Sequence, residues 1–335
     1  MYPRLSDLTR DLFGFELPLP IYSFGAMVAV AILTAAWLLG KELDRKHRLG
    51  LLPGILYPEK DPKTKRTVTR HVPPSILVGR IAMIAAIAGI VGAKLFHILE
   101  NLDDFARDPA GMVFSPGGLT FYGGLLLAAG IIAWFVRRRG LSVPVVADAV
   151  APGLILAYGI GRIGCYLAGD GDWGVCSRLE DKPGWLPGPL WSETFPRNVA
   201  GPEMSVHDVK ADCLTPGGSM PFVAGADGVF PTMLYEFAMC VLAFALLWII
   251  RKHPYRAGWL FGVYVILTAV ERFLIELIRV NNEFPLFGLQ VTQAQVISVL
   301  LLIGGLVIVA RTMKRTGTPE APMTPAAAPT HAGTP

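Results

Sequence analysis

The stretch Val143–Leu167, VPVVADAVAPGLILAYGIGRIGCYL, carries only two charges, Asp148 and Arg162. About 20 helical residues cross a hydrocarbon core of about 30 Å, so this run is long enough to span a membrane. Pro152, Gly153, Gly159, Gly161 and Gly164 within it suggest close packing or a local break. Six further runs are equally apolar: 21–39, 75–97, 118–136, 231–250, 257–279 and 291–310. None alternates with period two over about ten residues, which argues against a membrane β-barrel. The whole composition agrees. Of 335 residues 53% are hydrophobic and 17% charged, with mean hydropathy +0.48. Soluble domains hold about 45–50% apolar and about 25% charged residues. A soluble globule and a disordered chain are both excluded. The expectation is an all-α integral membrane protein with seven transmembrane helices.

The basic residues orient these helices. Segments 40–74, 137–142, 251–256 and the tail from 311 hold eighteen Lys and Arg, against seven in 1–20, 98–117, 168–230 and 280–290. The positive-inside rule puts the first set in the cytoplasm. The N-terminus is then outside and the C-terminus cytoplasmic. Met1–Pro20 has mixed charge and no cleavage motif follows the first run, so that run reads as a helix and not a cleaved signal peptide. Residues 40–74 read as an irregular basic loop. Residues 168–230 carry nine acids and four bases and are too long for a bare connection, so a small head on the outer surface is expected there. The membrane domain is taken as 1–312, with 313–335, rich in Pro, Ala and Thr, as a disordered tail. Cys176 and Cys213 both fall in the outer loop, where an oxidising compartment permits a bridge. No cysteine or histidine spacing resembles a zinc site.

Charges inside spans mark function by default, since each costs about 2.5–3.5 kcal/mol at mid-membrane. Nine are present: Arg80, Lys94, Asp148, Arg162, Glu236, Glu271, Arg272, Glu276 and Arg279. Lys94, Arg162, Arg272, Glu276 and Arg279 come late in spans running outwards. Gly118, Tyr122, Gly123, Tyr235 and Glu236 come early in spans running inwards. All therefore converge in the outer half of the bilayer. Arg272, Glu276 and Arg279 have the i, i+4, i+7 spacing of one helix face. Guanidiniums present a fork of donors that matches phosphate oxygens. The simplest ligand is a phospholipid headgroup. Each residue also has a structural reading: Glu276 neutralises an arginine, Lys94 reaches for headgroups, Glu271 faces a partner helix, and Gly118 and Gly123 pack helices.

Four segments, in order, resemble the prolipoprotein diacylglyceryl transferase family. Gly161-Arg-Ile-Gly-Cys-Tyr-Leu-Ala-Gly169, followed by Trp173-Gly174, is similar to that family's GRxGNFxNGExxG. Gly117-Gly-Leu-Thr-Phe-Tyr-Gly-Gly124 resembles its GGLSFHGG, Pro231-Thr-Met-Leu-Tyr-Glu236 its HPxQLYE, and Arg272-Phe-Leu-Ile-Glu276 with Arg279 its FRxxxExxR. The resemblance covers about 20–312. It implies transfer of the diacylglyceryl group of phosphatidylglycerol to the lipobox cysteine of a preprolipoprotein, with a thioether formed and glycerol 1-phosphate released. The partners implied are phosphatidylglycerol, lipobox signal peptides and membrane lipids, with no nucleic acid, cofactor or metal. The place implied is the bacterial inner membrane. Arg162 and Arg272 become the main phosphate and transition-state residues, with Glu276 orienting Arg272 and Tyr122 in the catalytic set. Arg279, Tyr235, Glu236, Cys165, Asp170, Gly118, Gly123, Gly174 and Lys94 become substrate-binding.

The chain departs from the family pattern at informative places. Tyr122 stands where SFHGG has histidine, and an unperturbed phenol, with pKa about 10, is a poor base near neutrality. Cys165 replaces the asparagine of GRxGN. Asp170-Gly-Asp172 stands where one Glu is usual. These departures keep two rivals in view: a non-catalytic paralogue that binds phospholipid or lipoprotein precursors, and a transporter or channel.

Overall fold

The computed structural model describes residues 2–314 except 16, 17, 19, 20, 61–66, 116–119, 197, 200–208, 215, 217–220 and 287. Eleven α-helices are described: α1 (Leu5–Phe13), α2 (Ser23–Arg48), α3 (Val78–Glu100), α4 (Leu102–Arg107), α5 (Pro109–Phe114), α6 (Phe121–Arg138), α7 (Val143–Ala168), α8 (Val209–Leu214), α9 (Thr232–Ile250), α10 (Trp259–Glu276) and α11 (Gln293–Thr312). Six strands form three antiparallel pairs: β1 (Ile55–Lys60) with β2 (Thr67–Val72), β3 (Cys176–Ser177) with β4 (Gly228–Val229), and β5 (Glu283–Leu286) with β6 (Leu289–Thr292). The architecture is thus mostly helical and not purely so.

Among the described residues six helices are long and apolar enough to cross a membrane: α2, α6, α7, α9, α11, and α3 with the turn before it from Pro74. The helix α10 matches α6 in length but carries Glu271, Arg272 and Glu276 within its 18 residues. That charge load keeps it below the composition of the other six. Side chains such as Ile249 and Leu242 on α9 are 77% and 70% exposed. So much exposed apolar surface suits lipid and not water.

The chain divides into two compact units. The first takes Met1–Leu38, Val150–His253 and Ala257–Met313. One of its apolar clusters joins α7, α9 and α10 through Ile155, Cys240, Ala243, Leu247 and Leu260. Glycines set how closely these helices approach. A Cβ on Gly159 would stand 2.7 Å from Cys240 Cβ, and one on Gly164 would stand 3.1 Å from Met27 Cβ. The helix α7 runs on through Pro152, so its glycines serve packing and not a break. A second cluster seats the 168–230 segment through Trp173, Cys176, Phe195, Cys213, Val229 and Met233, with Cys165 at its base. Cys176 and Cys213 form a disulfide there, with Cα atoms 6.0 Å apart.

The second unit takes Leu39–Ala149 and Pro254–Arg256. The expected irregular loop at 40–74 is instead the end of α2 followed by the β1–β2 hairpin, in register from Ile55 opposite Val72 to Lys60 opposite Thr67. Thr67, Val68, Thr69 and Val72 are β-branched, which favours a pleated strand; the basic residues hid that pattern. In the same unit α3 and α6 touch backbone to backbone. A Cβ on Gly123 would meet Gly92 O at 2.5 Å and Phe96 Cβ at 2.4 Å, and one on Gly124 would meet Gly89 O at 2.7 Å. The tail 315–335 lies outside the described residues.

Candidate active site

The first unit gathers a cluster of buried charges from α7, α9, α10 and the segment after α7. Tyr158 and Arg162 are one helical turn apart on α7, so their side chains share a face. The Arg162 guanidinium donates to the Tyr158 hydroxyl at 2.8 Å and lies 4.8 Å from its ring centroid. Gly169, with φ 65°, and Gly171, with φ 96°, reverse the chain after α7. Glycine tolerates that left-handed backbone. The reversal returns Asp172 to Arg162, whose Nη1 donates to Asp172 Oδ2.

Glu236 enters from the N-terminal part of α9 and is fully buried. Its Oε2 accepts from the Tyr158 hydroxyl at 2.8 Å and pairs with Arg162 Nε. Arg279 completes the arrangement. Its Nη2 donates to Asp172 Oδ1, and its Nη1 lies 3.7 Å from Glu236 Oε1. Two guanidiniums and two carboxylates therefore alternate. Arg272 pairs separately with Glu276 at 3.0 Å, and Asn281 Nδ2 donates to Glu276 Oε1 at 2.7 Å.

Gly174 explains how Asp172 is held. It forms a bridge with Arg279, its N–H donates to Phe230 O at 2.8 Å, and the next N–H, of Val175, donates to Ile278 O at 2.8 Å. A Cβ at this position would stand 2.7 Å from Ile278 O. Thr232 Oγ1 also donates to Asp172 O at 2.5 Å. The Trp-Gly pair thus positions a neighbouring carboxylate through backbone contacts.

Outside the helices, electrostatics set the two aspartates apart. Burial pushes the Asp172 carboxyl up, but Arg162 and then Arg279 outweigh it and hold the group below the usual carboxylate value. Asp170 is raised, first by burial and then by Asp172 beside it. Cys165, Asp170 and Asp172 bring ligand-type atoms within 4.8 Å of one another. Both Asp172 oxygens are already engaged by arginines, so the geometry favours an internal ion network over a metal centre.

Four side-chain atoms in this region are buried without a hydrogen-bond partner among the described residues: Glu236 Oε1, Glu271 Oε1, Arg272 Nη1 and Glu276 Oε2. Of these, Glu236 Oε1 and Glu276 Oε2 still face a guanidinium in an ion pair. Such groups are costly unless a ligand or water satisfies them. Arg272 Nη1 is a cationic donor open to an anionic oxygen.

Comparison with known sequences fits this geometry. The family model for prolipoprotein diacylglyceryl transferase matches residues 11–311. The chain belongs to the prolipoprotein diacylglyceryl transferase family. It is 28% identical over 303 residues to the phosphatidylglycerol–prolipoprotein diacylglyceryl transferase of Vibrio vulnificus strain CMCP6, covering 89% of each chain. It is 34% identical over 231 residues to the protein of that name from Mycobacteroides abscessus, covering 67% of this chain and 61% of that one. With the Corynebacterium diphtheriae protein of that name identity is 28% over 268 residues, covering 76% and 84%.

In this diacylglyceryl transferase family member, the expected site residues divide by place. Arg162, Arg279, Glu236, Arg272, Glu276, Cys165, Asp170 and Gly174 belong to the first unit. Arg162 Nη1 lies 3.9 Å from Cys165 Sγ. The shared helix face of Arg272, Glu276 and Arg279 does not form. The helix α10 ends at Glu276, the chain turns through Leu277 and Ile278, and Arg279 reaches Asp172 from beyond it. Tyr235 lies on α9, and its hydroxyl donates to Leu190 O at 2.5 Å, which ties the helix to the 168–230 segment.

Lys94, Tyr122 and Gly123 belong to the second unit. Lys94 Nζ donates to Ser115 O and Oγ, each at 2.9 Å. Tyr122 stands in the first turn of α6 with its ring edge-on to Phe121, centroids 5.7 Å apart. Gly123 packs against α3. Gly118 lies outside the described residues. Tyr158 escaped the sequence reading of the site, and Asp172 stood out there only as part of the departure from the family's single Glu. Tyr158 was findable as the residue four before Arg162.

Proposed function

We propose that this chain transfers the diacylglyceryl group of phosphatidylglycerol to the lipobox cysteine thiol of preprolipoproteins, forming a thioether and releasing glycerol 1-phosphate. The observation that carries this reading is the meeting of Arg162, Arg279 and Arg272 in one membrane-helix unit of a family member. The thiolate attacks a glycerol carbon, and the phosphate leaves with a growing negative charge. Prearranged guanidiniums act where that charge develops. Arg162 is held by Tyr158, Glu236 and Asp172 and needs little reorganisation. Arg272, anchored by Glu276, keeps Nη1 for a phosphate oxygen.

The wider arrangement belongs to the same proposal. The helix α10 brings the spans to seven, as the sixth in chain order, with its charged end at the outer side. The N-terminus faces outwards and the basic segments face the cytoplasm. Residues 168–230 form a periplasmic head within the 1–312 membrane domain, followed by a cytoplasmic tail. The site opens in the outer half of the inner membrane, where lipid and signal peptide both arrive from the bilayer. By the family pattern Tyr122 belongs to the catalytic set, and Lys94, Gly118, Gly123 and Tyr235 to substrate binding. The test is direct: membranes bearing the protein, supplied with phosphatidylglycerol and a lipobox peptide, should yield the diacylglyceryl thioether by mass spectrometry. Absence of that product with folded protein would refute the assignment.

A further inference from the structure

We propose that Glu271 takes the proton of the attacking lipobox thiol. The inference rests on the transfer reading above and concerns a step which that reading leaves unassigned.

Charge matching singles this residue out. Arg162 and Arg279 are engaged by Asp172 and Glu236, and Arg272 by Glu276. Three cations meet three carboxylates. Glu271 is the fourth carboxylate, only 5% exposed. Among the described residues it joins no ion pair, and its Oε1 has no hydrogen-bond partner. A buried polar atom left in this state needs a role. The surroundings are those of the phosphate clamp. The charged groups acting on Glu271 are Glu236 from α9, Arg162 from α7, Arg272 from its own helix, and Arg279. It acts in turn on Tyr158 of α7 and Cys240 of α9. The FRxxxExxR pattern that this segment resembles opens with Phe where this chain has Glu271.

The proton needs such an acceptor. As the thiol attacks, its S–H bond breaks and the proton passes to Glu271 Oε1. The sulfur electron pair forms the S–C bond to the glycerol carbon. The C–O bond to phosphate breaks, and its pair leaves on the phosphate oxygen beside Arg162 and Arg272. The departing glycerol phosphate then takes the proton from Glu271, which restores the carboxylate. Asp172, Glu236 and Glu276 are already engaged by guanidiniums, so among the described residues Glu271 alone of these four acids has no paired cation.

The test uses the intact protein in membranes with phosphatidylglycerol and a lipobox peptide. Glu271→Gln should slow transfer about 10²–10⁴-fold near pH 7, with KM for the lipid unchanged. The rate should recover as pH approaches about 8.5, where a cysteine thiol ionises unaided. A selenocysteine acceptor, already ionised at neutrality, should restore it too. A purely structural role would give the same loss at every pH and with both acceptors, and that result overturns the proposal. So does a wild-type rate for Glu271→Gln at pH 7. Should that variant fail to accumulate, Glu271→Asp should turn over with the wild-type pH profile; a profile rising with thiol ionisation would count against the assignment. Absence of transfer by the wild-type chain would instead sink the transfer reading.

Discussion

Arg279 and Asp172 meet across 107 residues of sequence. Arg279 Nη2 donates to one carboxylate oxygen, and Arg162 Nη1 donates to the other. One anionic group with two oxygens lies between two guanidinium forks, and a phosphodiester offers the same pair of acceptors. Arg162 uses its fork in several directions at once, towards Asp172, Glu236 and Tyr158. Lysine keeps the charge and loses the fork. Arg162→Lys and Arg272→Lys should each lower transfer by about 10²–10³-fold, the usual effect of removing one prearranged donor. Near-normal transfer at normal protein level in either variant would remove the phosphate-clamp argument.

The Asp172 link has a definite response to acid. Burial raises its carboxyl, yet Arg162 and Arg279 bring it below the ordinary value. A carboxyl depressed in the folded state contributes stability that is fully present above its unfolded pKa, about 3.9, and lost as pH falls through the folded one. Asp170, raised by burial and by Asp172, contributes with the opposite sign: its effect favours folding in acid and fades as pH climbs from about 3.9. Between pH 5 and 8 the Asp172 contribution should therefore be flat. In thermal unfolding at a series of pH values, Asp172→Asn should flatten the fall in Tm below about pH 4. A variant whose acid limb matches the wild type's would show that the arginines do not hold this carboxylate.

The Cys176–Cys213 disulfide closes part of the head over Phe195 and Val229. Only Val175 separates Cys176 from Gly174 along the chain, so the bridge steadies the segment that carries Asp172. Alkylation and mass spectrometry of unreduced protein should find these two thiols linked, with Cys165 and Cys240 free. Replacing both bridged cysteines by alanine should lower stability by about 2–5 kcal/mol, read as a lower Tm. Two alkylated thiols in unreduced protein would contradict the bridge.

How much of this was legible in the sequence depended on the range of the contacts. The membrane helices could be read from the length of the apolar runs, because a lipid-facing helix needs no partner to reveal it. Arg162 and Arg272 stood out as charges in such runs, and Glu276 followed from its i+4 spacing. Arg279 was misplaced because the i+7 rule holds only while the helix continues, and α10 stops three residues short of it. Nothing local signals that Asp172 meets Arg279, since the contact depends on the Gly174 bridge and two glycine reversals. The β1–β2 hairpin was missed for a different reason. Its β-branched strand lies among lysines and arginines, and charge density masked the period-two pattern.

Tyr122 presents the last test. It occupies the place where the family pattern that it resembles has histidine, and its hydroxyl could either take a proton or bind substrate. A thiol with pKa about 8.5 needs a smaller shift to ionise than a phenol near 10. That argues for cations and a separate carboxylate acting on the thiol, with Tyr122 as a hydrogen-bonding group. Tyr122→Phe should then leave partial transfer, and Tyr122→His should be tolerated. Loss of nearly all activity in Tyr122→Phe, with folded protein in the membrane, would make the phenol itself the base. Full activity would remove Tyr122 from the site altogether. The sharpest comparison adds Tyr122→His to Glu271→Gln. If the two positions supply the same proton acceptor, the histidine should restore part of the rate at pH 7 and bring back a pH dependence with a midpoint near 6.5, the ordinary value for imidazole. A double variant as slow as Glu271→Gln alone would show that Tyr122 does not reach the reacting thiol.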